Sequence, residues 1–417
     1  MRKKGSGQTP EHAARRAFWS RSGALLAAGV LRTARGEGYA ELPDSMRTQG
    51  RPVLSPAYGQ PSVHEADVVR GLFPGTPTAL SAASLTPLDR LHGIVTPNGL
   101  VFERHHAGVP DIPPERHRLL VHGLVQRPLL FTMDDLMRLP AVSRFHFLEC
   151  SGNTQLEWKT PAETVQRSHG LLSCCEWTGV PLSTVLDEVG VERGAAWSLA
   201  EGADAAAMTR SIPLESALED ALLVYAQNGE MLRPEQGYPL RLLLPGFEGN
   251  ANIKWLHRIK LAREPFMTRE ETSKYTDLMP DGTARQFTFV METKSVIVRP
   301  SGGHKVRGPG IHEIFGFAWS GRGRIRRVEV SINGGRTWES ARLDEPVLPK
   351  CLTAFRMAWR WDGAPLVVQS RAFDDTGYAQ PSRDELIAVR GANSYYHYNA
   401  IHGWKIAFDG SVTHARA

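Results

Sequence analysis

A chain of 417 residues is longer than one hydrophobic core usually organises, so two globular units with a terminal extension are expected. With 41% hydrophobic and 22% charged residues it has the composition of an ordinary folded protein, which excludes a disordered or membrane-embedded chain. The formal net charge of +5 is small for this length and Lys and Arg form no long run, which argues against nucleic-acid binding and leaves room for anionic small molecules or an acidic partner.

Near the start, Arg15-Arg16-Ala17-Phe18-Trp19 precedes an apolar run from Gly23 to Leu31 that is too short to span a bilayer. Residues 1–38 have the layout of a twin-arginine export signal; the alternative is an incidental Arg pair before a short helix. Residues 39–90 are rich in Gly, Pro, Ser and Ala without periodicity and read as an irregular arm. From 91 to 284 the pattern mixes short strands and helices. Leu119–Val125 and Phe145–Leu148 read as strands, Met133–Leu139 as a helix behind Thr132, Leu182–Val189 and Leu214–Leu218 as helices, Ala221–Tyr225 as a strand before the turn Asn228-Gly229, and Leu240–Leu244 as a strand stopped by Pro245-Gly246. No regular βαβ repeat and no nucleotide, phosphate-loop, zinc-protease or nucleophile-elbow motif occurs, so this part is an α+β domain.

Beyond residue 285 the texture is all-β. Phe287–Met291, Ser295–Val298, Gly310–Trp319, Ile325–Ile332, Phe355–Trp361 and Val367–Phe373 are short strands at even spacing, and Asn333-Gly334-Gly335 is a turn, which predicts an immunoglobulin-like sandwich over 285–417. The cysteines at 150, 174, 175 and 351 are too few and too irregular for a disulfide framework or a paired zinc site; Cys174 and Cys175 read as buried small apolar residues. No CxxCH motif is present for covalent haem. Cys150, at a strand end before Ser151-Gly152-Asn153, sits on a turn from which its sulfur can enter a cleft, although alone it would read as a buried structural thiol.

Taken in order, Phe147 to Asn153, Glu176 to Leu182, Tyr225 to Glu230, Gly237 to Arg241 and Lys254 to Leu256 resemble the motif series of the sulfite oxidase family. Ser331 to Trp338 resembles that family's immunoglobulin-like dimerisation domain. The match covers roughly residues 90 to 410. The resemblance implies a molybdopterin-binding catalytic domain over 91–284, a dimerisation domain over 285–417, and a molybdenum-molybdopterin cofactor whose metal is ligated by Cys150. It places Cys150, Tyr225 and Arg104 in catalysis and Arg104, His106, Cys150, Asp204, Gln236, Arg241, Asn252 and Lys254 around the cofactor. Arg and Lys suit a phosphate and Asp accepts pterin N–H groups; each alone would read as a solvated charge, Tyr225 as a strand aromatic, and Arg104-His105-His106 as a hydrated loop or incidental metal site.

Two departures bear on substrate. Gln155 and Gly403 occupy positions where sulfite-oxidising members carry Arg, so the pocket is expected to be less cationic and roomier. This is similar to the sulfane dehydrogenases of the family, as are the stretches Ser173 to Trp177 and Asn393 to Trp404. That branch implies oxidation of a persulfidated cysteine on a carrier protein during thiosulfate oxidation, electrons passing to a c-type cytochrome subunit, and a homodimer or α2β2 assembly, while the twin-arginine layout of residues 1–38 implies a periplasmic location reached in the folded, cofactor-loaded state. A dehydrogenase of free sulfite and a non-catalytic secreted binding protein are the alternatives.

Overall fold

The structure is a computed structural model that describes residues 42–50, 62–73 and 78–415. The expected export signal over residues 1–38 lies outside them. Two five-stranded sheets dominate the first part of the chain, and a small antiparallel sheet of Gly71–Leu72, Ala83–Leu85 and Glu103–Arg104 gives the end of the arm expected to be irregular a regular attachment to it. In one five-stranded sheet, Leu172–Pro181 lies at the centre between Val142–Glu149 and Leu222–Gln227, with Glu230–Met231 at the edge and Arg241–Leu243 also paired to Leu222–Gln227. The other runs Leu129–Thr132, Arg118–Gly123, Leu256–Ala262, Trp197–Gly202, Thr209–Pro213. The pair Leu256–Ala262 and Arg118–Gly123 is parallel, and the remaining neighbours in both sheets are antiparallel, the mixture of an α+β domain.

Short helices cap the strand ends for local reasons. Met133–Met137 begins with a reciprocal capping box between Thr132 and Asp135. In Leu182–Val189, the residues Leu182, Val185, Leu186 and Val189 fall on one buried face, and the helix stops at Gly190, whose φ of 67° belongs to the left-handed region.

The second part is a two-sheet sandwich. Lys294–Arg299, Gly310–Trp319, Thr353–Trp361 and Arg342–Leu343 face Glu339–Ser340, Ile325–Ser331, Leu366–Asp374, His402–Ile406 and Val412–Ala415. Phe315, Phe317, Val328, Val330, Phe355, Val368 and Trp404 fill the space between, as expected of an immunoglobulin-like core. That core is continuous with Phe147, Leu172 and Cys174 of the first sheet. One expected strand is absent: Phe287–Met291 is an irregular connector with positive φ at Phe287 and Phe289. Its alternating aromatics, which mimic a strand, instead pack on Trp197 and Phe247 at ring separations of 5.3 and 5.4 Å. Among the described residues no helix is long and apolar enough to cross a membrane.

One buried ionic contact joins the two parts. Glu149, the last residue of Val142–Glu149, receives Lys294 Nζ on Oε1 at 2.7 Å and Trp319 Nε1 on Oε2 at 2.7 Å, both donors coming from the sandwich. Asn153 Nδ2 completes the set at 2.9 Å. Burial pulls the Lys294 ammonium below its ordinary range, and Glu149 opposes that by favouring the charged form. Removing one partner strands a buried charge, so Lys294→Met should lower stability by about 3–5 kcal/mol, and adding Glu149→Gln should recover part of it. Denaturant unfolding of the three proteins checks this; equal midpoints for parent and Lys294→Met would contradict it.

Candidate active site

Cys150 follows Glu149 directly and is fixed by main-chain bonds on both sides. Its N–H donates to Leu171 O at 3.0 Å, and its carbonyl accepts from Asn153 N at 2.8 Å in a tight turn. Thr154 closes that turn in the left-handed region with φ of 66° and anchors it by donating to Tyr398 O at 2.7 Å. Asn250 Nδ2 donates to Ser151 Oγ at 2.9 Å, which brings the loop around Glu248–Asn250 against the turn. Small residues allow this approach: a Cβ on Gly249 would stand 3.2 Å from Cys150 Cα and 3.0 Å from Glu149 O.

The half-buried Cys150 sits where two cavities meet. The inner one is lined by Arg104, His106, Asp204, Gln236, Asn252, Lys254, Trp255 and Tyr275. The outer and larger one is lined by Phe73, Arg104, His106, Gln155, Lys274, Tyr275, Tyr395 and Tyr396.

Burial shapes the electrostatics. It raises the Cys150 thiol, against the pull of the Gly152 N–H and of Arg104, and a bound metal cation would favour the thiolate. Burial, reinforced by Arg104 and Lys254, lowers His106 to about 3 and keeps it neutral near pH 7. Lys254 is pulled down to about 7 by burial and by Arg241; its Nζ donates to Arg104 O and Glu235 O at 3.1 and 3.0 Å and lies 2.8 Å from His105 Nδ1. Arg241 is lowered to about 10 by burial; one nitrogen donates to Gln236 O at 3.1 Å while its buried Nε has no protein partner. Asp204 is raised by burial, against the attraction of Lys254.

This donor set fits a phosphate-bearing pterin. A buried guanidinium with a free N–H and an ammonium lowered by burial gain by meeting an anion, and Asp204 and the unpartnered Asn250 Oδ1 can accept N–H donors. Gly237, with φ of 112°, lets its backbone lie against Lys254 and Arg241, since a Cβ there would stand 3.1 and 3.3 Å from their Cβ atoms. A soft thiol at the cavity junction is the matching ligand for a redox metal.

Comparison with known proteins agrees. Residues 106–270 match the model of the oxidoreductase molybdopterin binding domain, and residues 285–403 match that of the Mo-co oxidoreductase dimerisation domain. The crystal structure of the sulfane dehydrogenase SoxCD from Paracoccus pantotrophus superposes with a TM-score of 0.85 and 44% identity, over 91% of this chain and 98% of that one. The chain belongs to the sulfite oxidase family of molybdopterin oxidoreductases. Human mitochondrial sulfite oxidase is 32% identical over 288 residues, 64% of this chain and 52% of that protein, and the NADH nitrate reductase of Solanum lycopersicum is 31% identical over 71% of this chain and 37% of that protein. The chain thus spans about half the length of the sulfite oxidase and a smaller share of the nitrate reductase.

Within this family member, the structure gathers Arg104, His106, Cys150, Asp204, Gln236, Asn252 and Lys254 on one cavity, with Arg241 beside it through Gln236. Asn252 spends its amide on its own loop, accepting from Leu244 N at 2.7 Å and donating to Glu248 O at 3.0 Å. The expectation for Tyr225 is corrected: it lines neither cavity and packs against the second-sheet core. The register of Leu222–Gln227 shifts between Val224 and Ala226, where Tyr225 sits, and spacing from the motif does not report that shift. The tyrosine at the cavity is Tyr275, whose hydroxyl is 3.3 Å from His106 Nε2 and whose ring lies 5.2 Å from the Arg210 guanidinium. Gly403 likewise lies away from both cavities, on a strand against Gln369 and Ala415, whereas Tyr395 and Tyr396 of the same tail line the outer one.

Glu248 also escaped the sequence reading. Burial opposes its ionisation, but Arg210 and His397, each 3.0 Å away, hold it down at about 2. Cys174 and Cys175 are buried as expected; Cys174 Sγ lies 3.4 Å from Cys351 Sγ, and burial lifts Cys175 to about 12. Replacing Arg241 or Lys254 by Met should each remove a charge-assisted bond worth roughly 1.5–3 kcal/mol, so cofactor affinity should fall about ten- to hundredfold. Molybdenum and pterin content per chain after gel filtration reads this out, and undiminished content in both variants would contradict the assignment.

Proposed function

We propose that this chain is the molybdenum subunit of a sulfane dehydrogenase, SoxC of a SoxCD pair, and oxidises the outer sulfur of a persulfidated cysteine presented by a carrier protein in thiosulfate oxidation. The outer cavity carries this reading. It is wide, and among its described lining residues Arg104 and Lys274 are the cations, His106 being neutral near pH 7. Free sulfite is a small dianion best gripped by several arginines. Here Gln155 offers an uncharged amide, and Phe73, Tyr395 and Tyr396 present an aromatic wall suited to a flexible protein arm.

When bound, molybdenum supplies two-electron oxidation with oxygen drawn from water. In our reading Cys150 holds the metal, Arg241 and Lys254 grip the phosphate, and Asp204 accepts pterin N–H groups. Gln236 steadies Arg241, and Asn252 steadies the loop over the cofactor. Arg104 attracts the anionic end of the substrate. Tyr275, its hydroxyl raised by burial and by the nearby thiol, keeps its proton and donates a hydrogen bond beside His106. Electrons leave singly to a c-type cytochrome subunit. Residues 91–284 form the catalytic unit behind the 39–90 arm, and residues 285–417 pair chains into a homodimer or, with the cytochrome, an α2β2 assembly. The Arg15-Arg16 signal carries the folded protein to the periplasm.

The test compares turnover of a persulfidated carrier with that of free sulfite. The carrier should be strongly preferred, and Gln155→Arg should raise kcat/KM for sulfite about tenfold or more by adding a charged hydrogen bond. Efficient turnover of free sulfite by the parent, with none of the carrier, would overturn the proposal in favour of a sulfite dehydrogenase.

A further inference from the structure

A second cluster of ligand-type side chains lies behind the wall of the outer cavity. Glu157 belongs to the turn Gln155–Trp158, while His402 and His414 stand on the neighbouring strands His402–Ile406 and Val412–Ala415. His414 Nε2 is 2.8 Å from Glu157 Oε2, His402 Nε2 is 3.8 Å from Glu157 Oε1, and one ligand atom from each residue lies within 4.8 Å of the others. His402 is only 5% exposed, yet neither of its ring nitrogens has a protein hydrogen-bond partner. Buried polar atoms are rarely left so, and an imidazole with both lone positions unspent is open to a ligand.

The surroundings hold these groups in place. Trp404 and His169 pack edge-on against His402 at ring separations of 4.5 and 5.1 Å, and His169 is itself tied through Nδ1 to Ser168 Oγ at 2.8 Å. Glu157 Oε1 also accepts from Ala162 N at 3.2 Å, which fixes the carboxylate.

We propose that Glu157, His402 and His414 form a second metal site, for a divalent cation of the zinc class, that ties the Gln155–Trp158 turn to the sandwich. Two imidazoles and one carboxylate match zinc rather than calcium or magnesium, which favour oxygen alone. With ligand distances of about 2.0–2.2 Å, donors around tetrahedral zinc stand roughly 3.3–3.5 Å apart. His414 reaches Oε2 at 2.8 Å and His402 lies 3.8 Å from Oε1, and one donor from each of the three residues lies within 4.8 Å of the others, so rotation of the rings and the carboxylate closes the site, and water takes the fourth position. Metal binding would replace the 2.8 Å contact between His414 Nε2 and Glu157 Oε2. Because the turn begins at Gln155, occupancy stiffens one wall of the substrate approach.

The experiment uses tag-free, cofactor-loaded protein stripped of loosely held cations with EDTA. Calorimetric titration with Zn²⁺, and absorption with Co²⁺ as a probe, should show one equivalent bound per chain, with Co²⁺ bands of low-symmetry nitrogen and oxygen coordination and a higher unfolding temperature. Glu157→Gln and His414→Ala should each weaken uptake by about 100-fold or more. His414 lies at the partly exposed rim, so its variant is expected to fold, as circular dichroism would verify. No Zn²⁺ uptake by the parent, or uptake retained in both variants, would overturn the proposal.

Discussion

The carboxylate of Glu149 is the point on which the molecule turns. It is fully buried, it ends the strand that delivers Cys150, and it draws its donors from the sandwich, Lys294 and Trp319, as well as from the turn through Asn153. A charge in that position is tolerated because each oxygen is bonded and a countercharge lies 2.7 Å away. The cost of separating the pair therefore resists any shift of the Cys150 turn relative to the sandwich. A domain named for dimerisation in its relatives thus also sets the position of the metal ligand in the neighbouring domain.

A similar logic governs the cavity. Cations are crowded there and discounted by burial: Lys254 and Arg241 are both lowered, and His106 is neutral. Glu103, Asp204 and Glu235 offset part of this cost at Lys254, and an anionic cofactor would relieve more of it. Stability conceded locally is converted into affinity for the group the family carries. On the other side of Cys150, the Glu248, Arg210 and His397 network braces the loop that closes over the thiol without adding net positive charge to the approach.

Much of this was legible in the sequence where local chemistry dominates. The helices Leu182–Val189 and Met133–Met137 were readable from apolar period and capping, and the sandwich strands from even spacing with Gly turns. Leu172–Pro181 was not, because a central strand buried on both faces loses the alternation that marks one. Phe287–Met291 showed the opposite error, alternation without a strand, since its aromatics answer to neighbours distant in sequence. For the site, motif order led to Cys150 and most of the cavity-lining polar groups. It failed for Tyr275 and for the tail residues Tyr395 and Tyr396, which reach the cleft from irregular segments where neither spacing nor period reports direction.

The most direct test of the account is X-ray absorption at the molybdenum edge of the purified, cofactor-loaded protein beside Cys150→Ser. The account predicts near-stoichiometric metal with the pterin dithiolene plus one thiolate sulfur in the parent, and loss of that thiolate scatterer in the variant. An identical sulfur shell in the two proteins, or a properly matured parent that carries no molybdenum, would contradict it.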